Sequence, residues 1–260
     1  MTSFVPPIWL VFIGTVLLAM LAVELGYRRG RFRQRRAAHA DDQEKEAPVG
    51  AMVGTTLGLL GFLLAFTFGI AADTFHERKL AQLHEANAIE SVFLQSRLVP
   101  EPHGSEVRGL LQQYVDARLR WTGDLPGGPA PPAEPLLHEV WARAIDYAGT
   151  DRSDVSAAFL EAVDDLSHAG AERVLLREHS HIPGAYWAVL GMIAVLAFAA
   201  MGYHGGVAGT TRSPVMAAVA VTFSLVIALI VDIDRPGEGW INVHQDAMFE
   251  VRGLMQRTSD

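Results

Sequence analysis

The chain has 260 residues, half of them apolar, with a mean hydropathy of +0.21 and a formal net charge of −8. That hydropathy beside 19% charged residues requires the two kinds to be segregated along the chain, which excludes an ordinary soluble domain. The acidic balance excludes nucleic acid as a partner, and the absence of cysteine excludes disulfides, thiolate metal sites and thiol catalysis.

A bilayer core needs about 20 apolar residues in a helix, and four windows supply them: Ile8 to Val23, Ala47 to Ala72, Ile182 to Tyr203 and Ser213 to Val231. In the first window the charges follow the apolar run, the reverse of a secretory signal, so it reads as a retained anchor. The basic residues Arg28, Arg29, Arg31, Arg33, Arg35, Arg36 and Lys45 lie between the first two spans. By the positive-inside rule that segment faces the cytoplasm. Alternation then places residues 73–181 and both termini outside, in the periplasm for a protein of the bacterial inner membrane. The division expected is a first span in 1–26, a basic linker in 27–49, a second span in 50–72, an extramembrane domain in 73–181, further spans in 182–203 and 213–232, and a tail in 233–260.

The second span carries two stripes. At about 100° per residue, Gly54, Gly58, Gly61, Ala65, Gly69 and Ala72 share one side, and small residues at that spacing allow close helix approach. About 90° around the helix lie Thr55, Leu59, Phe62, Phe66, Asp73 and Glu77. That second stripe suits a pore-lining helix in a ring of subunits, with the phenylalanines as constriction and the carboxylates as a ring of charge. Two explanations fit the same residues. Either the stripe lines a shared aqueous axis, or the glycines pack the four helices of one subunit while the phenylalanines meet lipid and the acids are interfacial charges beside Arg78 and Lys79.

Beyond the second span the helical spacing of apolar residues continues past Phe75 until Pro100 and Pro102 stop it, so one helix leaves the membrane intact. Eighteen of the 29 acidic residues lie between Asp73 and Glu178. Ser105 reads as the N-cap of an amphipathic helix bearing Val107, Leu110, Leu111, Tyr114, Val115, Leu119 and Trp121. The Gly/Pro-rich stretch 123–135 reads as a loop, with helices at 136–148 and 153–178. The buried face of the latter is read as Val155, Phe159, Ala162, Val163, Leu166, Val174 and Leu175. The fold class is an all-α integral membrane protein, with four transmembrane helices and a helical extramembrane bundle between the second and third.

The fourth span ends in Asp232 and Asp234, carboxylates that oppose the helix dipole. Arg235, Arg78 or Lys79 would compensate them, or a bound calcium or other divalent cation, since hard cations take carboxylate oxygens. Pro236 stops the helix. No phosphate loop, zinc-protease helix motif or Ser/His/acid grouping stands out, so no enzyme is expected. His179 and His181, two apart at a helix end, point in nearly opposite directions on a helix and make a poor metal pair.

Several blocks resemble the bacterial bestrophin-like membrane family: Leu63 to Phe68, Glu77-Arg78-Lys79, Glu85-Ala86-Asn87-Ala88-Ile89, Pro100-Glu101-Pro102, Tyr114-Val115-Asp116 and Asp232-Ile233-Asp234-Arg235-Pro236. The resemblance spans about residues 50–260. It implies kinship with bestrophins, pentameric anion channels with phenylalanines in a pore-lining second helix and a cytosolic bulk. Within 153–178 the chain has Val163-Asp164-Asp165-Leu166 where the family pattern has an asparagine and arginines, so no role is carried onto that helix. The acidic stripe here concentrates cations, not anions. The expectation is therefore a homo-oligomeric channel for cations, calcium among them, with Phe62, Phe66, Leu59 and Thr55 at the constriction. Asp73, Glu77, Asp232 and Asp234 form the acidic mouth, Gly54, Gly58, Gly61 and Gly69 pack helices, and lipid and the permeant ion are the partners. The alternative is a membrane-anchored scaffold or sensor whose extramembrane helices bind a partner.

Overall fold

The structure, a computed structural model, describes residues 6–37, 46–122, 124–125, 133–178, 180–210, 214–235 and 240–258. Lys45, most of the loop 123–135, His179, Arg212 and Pro236 lie outside the described residues. Among those described there is no strand, and the helices run α1 Ile8–Ala37, α2 Glu46–Gln95, α3 His103–Trp121, α4 Glu134–Thr150, α5 Asp154–Glu178, α6 Gly184–Val207, α7 Pro214–Asp234 and α8 Asp246–Arg257. Four of them, α1, α2, α6 and α7, are long and apolar enough to cross a membrane. The chain divides into two compact units, one of Met1–Thr74 with His181–Asn242, the other of Phe75–Ser180 with Val243–Asp260.

In the first unit α1 packs on α6 and α7. The α1–α6 contact is very close. A Cβ built on Gly26 would lie 2.0 Å from the Ala199 carbonyl oxygen, and one on Gly202 would lie 2.0 Å from that of Val23. Gly30 and Gly206 repeat the arrangement one turn on, at 2.3 Å from the Tyr203 oxygen and 2.4 Å from the Tyr27 oxygen. Two facing Gly-xxx-Gly pairs thus let the backbones nearly touch, and dispersion over that contact replaces the hydrophobic drive that lipid removes. The Tyr27 hydroxyl donates to the Thr210 carbonyl at 2.9 Å, and Phe198 of α6 meets Phe223 of α7 edge to face at 5.9 Å.

The second unit is a helical bundle built from the C-terminal part of α2, from Phe75 on, with α3, α4, α5 and α8 around one core, which contains Ile89, Phe93, Leu111, Leu119, Val140, Phe159 and Leu166. Each helix turns its 3.6-residue apolar stripe inward, as the spacing predicts. The segment read as a tail, 233–260, is in part a helix: α8 places Met248, Val251 and Met255 in this core, and its Arg252 donates to Asp116 at 2.7 Å. Its short amphipathic pattern follows a long polar stretch and is easily passed over.

Three local readings are corrected. Helix α3 begins at His103, two residues before the expected cap, and Ser105 instead donates its backbone N–H to Glu101 at 2.9 Å. The hydrogen bonds of Ser105, then of Arg108, hold the Glu101 carboxyl down to about 2. Val155 and Leu175 are exposed, and the inward position near the end of α5 is taken by Arg173. Trp121 is likewise at the surface, its ring lying under the Arg177 guanidinium at 4.9 Å.

Candidate functional site

Helix α2 has no proline after Pro48, and past Gly69 it runs through helix formers such as Ala71, Ala72, Glu77, Arg78, Lys79 and Leu80, so its 50 residues continue from the span into the bundle. It has three distinct faces. Val53, Leu60, Leu64, Thr67 and Ala71 are buried, with Leu60 and Ala71 fully so. At about 100° per residue the glycine stripe lies roughly 120° from that face on one side, and the phenylalanine stripe roughly 140° on the other. Both stripes are left uncovered by their own chain. Phe62 and Phe66 are 67% and 62% exposed. Leu59, Thr55, Asp73 and Glu77 are exposed as well, and Thr55 turns its hydroxyl back onto the Ala51 carbonyl at 2.9 Å.

The glycine stripe does not pack the subunit's own helices together. A Cβ on Gly54, Gly58, Gly61 or Gly69 would meet nothing within 4 Å. The small residues that bring helices of one chain together are those at 26, 30, 202 and 206. Their signal was in the sequence, as two Gly-xxx-Gly pairs; the longer stripe on α2 concealed it.

Asp232 and Asp234 are buried, at 3% and 7% exposure. The Asp232 carboxylate accepts the backbone N–H groups of Trp240 and Ile241 at 2.8 and 3.0 Å, and Asp234 accepts that of Ile182 at 3.0 Å. Backbone amides therefore supply part of the compensation expected for these carboxylates, and the two buried acids tie the turns at the end of α7. Arg235 donates to the carbonyl of Pro6. Arg78 donates to the carbonyls of Leu176 and Ser180. No grouping of three or more His, Asp or Glu able to hold a metal occurs among the described residues. Asp73 and Glu77, one turn apart on α2, are the exposed members of the acidic set.

The feature sequence reasoning missed is a buried ionic cluster in the bundle. Glu85 is fully buried. Its carboxylate accepts the Tyr114 hydroxyl at 2.5 Å, Arg118 Nε and Nη2 at 3.3 and 3.2 Å, and Arg173 Nε at 3.1 Å. Burial first, then the Glu85 carboxylate, push the Tyr114 phenol well above its ordinary range, so it stays a neutral donor. The four residues come from three helices: Glu85 from α2, Tyr114 and Arg118 from α3, Arg173 from α5. A carboxylate with two guanidiniums is costly to bury and is retained only where the charges meet one another, which here ties α2, α3 and α5 together. The available signal was Glu85 at helical spacing between the apolar Ala81 and Ile89 of α2.

The chain matches the family model described as the bestrophin-like domain over residues 16–248. Among solved structures it is similar to a bacterial bestrophin homologue from Klebsiella pneumoniae, with 16% identity, 97% of this chain and 98% of that chain covered, and a TM-score of 0.66. A point variant of that homologue gives 16% identity, the same coverage and a TM-score of 0.65. At that identity the likeness concerns the fold. No curated protein matches. With a family match across nearly its whole length and the four-span helical architecture in place, the chain belongs to the bestrophin-like family.

Proposed function

We propose that the chain assembles into a homo-oligomeric ion channel in which α2 lines the pore. Membership of the bestrophin-like family implies an ion channel. The observation that carries the assignment of α2 is the contrast between its faces: Leu60, Leu64 and Ala71 are sealed inside the chain, while Phe62 and Phe66 stand out from it. A ring of subunits that turned this face to a common axis would stack phenylalanine rings into an apolar neck, which gates by excluding water. Asp73 and Glu77 follow on the same face and would raise the local concentration of cations. The glycine stripe, open in the single chain, offers a surface against which a neighbouring subunit packs closely. Five subunits are expected from the family, and the native mass of the solubilised protein gives the number.

The test is flux through liposomes containing the purified protein. The wild type is expected to pass ions with a preference for cations, calcium included, and the pair Asp73→Asn with Glu77→Gln should lower that preference severalfold without blocking conduction. An impermeant wild-type oligomer ends the proposal, and an anion preference unchanged by the pair ends its cation part.

Sidedness is checked separately. Because the chain has no cysteine, single cysteines report cleanly. Arg152→Cys, in the exposed turn before α5, should react with an impermeant maleimide in intact spheroplasts, whereas Arg35→Cys should react only after permeabilisation. The opposite pattern inverts the topology drawn from the arginine run.

A further inference from the structure

We infer that the outward face of α1 is a binding site for an anionic phospholipid, whose tails lie along a row of leucines and whose headgroup meets the run of guanidiniums that starts at Arg28 and continues through Arg35 and Arg36. The inference is independent of whether the protein conducts ions. Helix α1 has one face in contact with its own chain, through Ala19, Ala22, Gly26 and Gly30, and an opposite face that the chain leaves open. On that open face Leu17, Leu21, Leu25, Arg28, Phe32 and Arg35 succeed one another at steps of three and four residues, all exposed. The face is apolar up to Leu25 and then changes abruptly to guanidinium.

The change falls at the depth of lipid phosphate. Trp9, itself exposed, stands near the other end of the span, and the 19 residues from Trp9 to Arg28 rise about 29 Å at 1.5 Å each. That matches a hydrocarbon core of roughly 30 Å with an aromatic residue at one interface and the basic residues at the other. The helix continues to Ala37, so the arginines are held in register on a rigid rod.

The local charge is strongly one-sided. Between residues 24 and 36 there are six arginines and no lysine, against the single carboxylate of Glu24, which Arg28 meets through its Nε at 2.7 Å. Arg36 is steadied at 4.3 Å over the Phe32 ring. Guanidinium takes phosphate oxygens in a two-point grip that an ammonium does not offer. A free phosphate would gain nothing from Leu21 and Leu25, whereas a phospholipid contacts the leucines and arginines together. This points to a lipid as the source of the phosphate.

The experiment is native mass spectrometry of the full chain in an uncharged detergent, titrated with phosphatidylglycerol, with phosphatidylcholine of the same acyl chains, or with inorganic phosphate. Phosphatidylglycerol should be retained far better than phosphatidylcholine, less so as salt rises, and inorganic phosphate should not displace it. At roughly fivefold per arginine, the triple variant Arg28→Gln, Arg35→Gln, Arg36→Gln should bind on the order of a hundredfold more weakly, while Arg152→Gln is unchanged. The corresponding triple lysine variant keeps the charge and loses the two-point grip, so it should bind more weakly than the wild type and more tightly than the glutamine triple. Equal retention of the two lipids by the wild type overturns the inference, as does a glutamine triple that binds like the wild type, which would leave the arginines a role in insertion alone. Displacement by phosphate makes the site a free-anion site. A disulfide between copies through Leu21→Cys makes the face a subunit contact.

Discussion

Replacing Glu85 by alanine is expected to destabilise the bundle by about 3–5 kcal/mol, because it leaves two buried guanidiniums without their carboxylate. Arg118 and Arg173 are 2% and 8% exposed, so water does not substitute for the lost partner. Tyr114→Phe removes one hydrogen bond to the carboxylate and should cost less, about 1.5–3 kcal/mol. The triple replacement Glu85→Leu, Arg118→Met, Arg173→Met should recover much of the loss of the alanine variant, since an apolar set of similar volume has no charge to desolvate. The order of Tm values measured by circular dichroism, wild type above the triple and the triple above Glu85→Ala, checks the argument. If Glu85→Ala unfolds within a degree or two of the wild type, the cluster does not anchor the bundle.

The second large effect is expected at the crossing of α1 and α6. Gly202→Leu places a Cβ 2.0 Å from a backbone carbonyl oxygen, an obstacle that is part of a helix and has no rotamer to adopt. The two backbones must separate along their whole Gly-xxx-Gly contact. Overpacking costs about 1–3 kcal/mol where side chains can yield and more where backbone must, so the variant should lose most of its folded yield in detergent-exchange chromatography. Gly54→Leu is the control, because a Cβ there meets nothing within 4 Å of its own chain and leucine is the better helix former by about 1 kcal/mol. It should leave the folded subunit intact and change only the mass of the assembly. A Gly54→Leu protein with an unaltered assembly would remove the glycine stripe from the contact between subunits.

The residues that decide these outcomes were unequally legible. The four spans, the continuous α2 and the apolar faces of α3 up to Leu119 and of α5 from Phe159 to Leu166 follow from the sequence by itself, because burial in lipid or in a helical core is written as the period and length of apolar runs, a local property of the chain. The blocks around Glu85 and Asp232 were legible as family signatures. Their roles were not, since a carboxylate looks the same in one dimension whether it faces an ion path or caps a backbone amide. Only the tertiary structure decided that Asp232 and Asp234 bind backbone N–H groups, that Glu85 holds Tyr114, Arg118 and Arg173 from two other helices, that α8 completes the bundle core, and that the glycines at 26 and 202 make the close contact within the chain. Apart from the Asp232 turn, which closes over eight and nine positions, these pair residues dozens to hundreds of positions apart. Spacing along a chain specifies which side of a helix a residue occupies, but what that side meets is fixed by how distant helices pack.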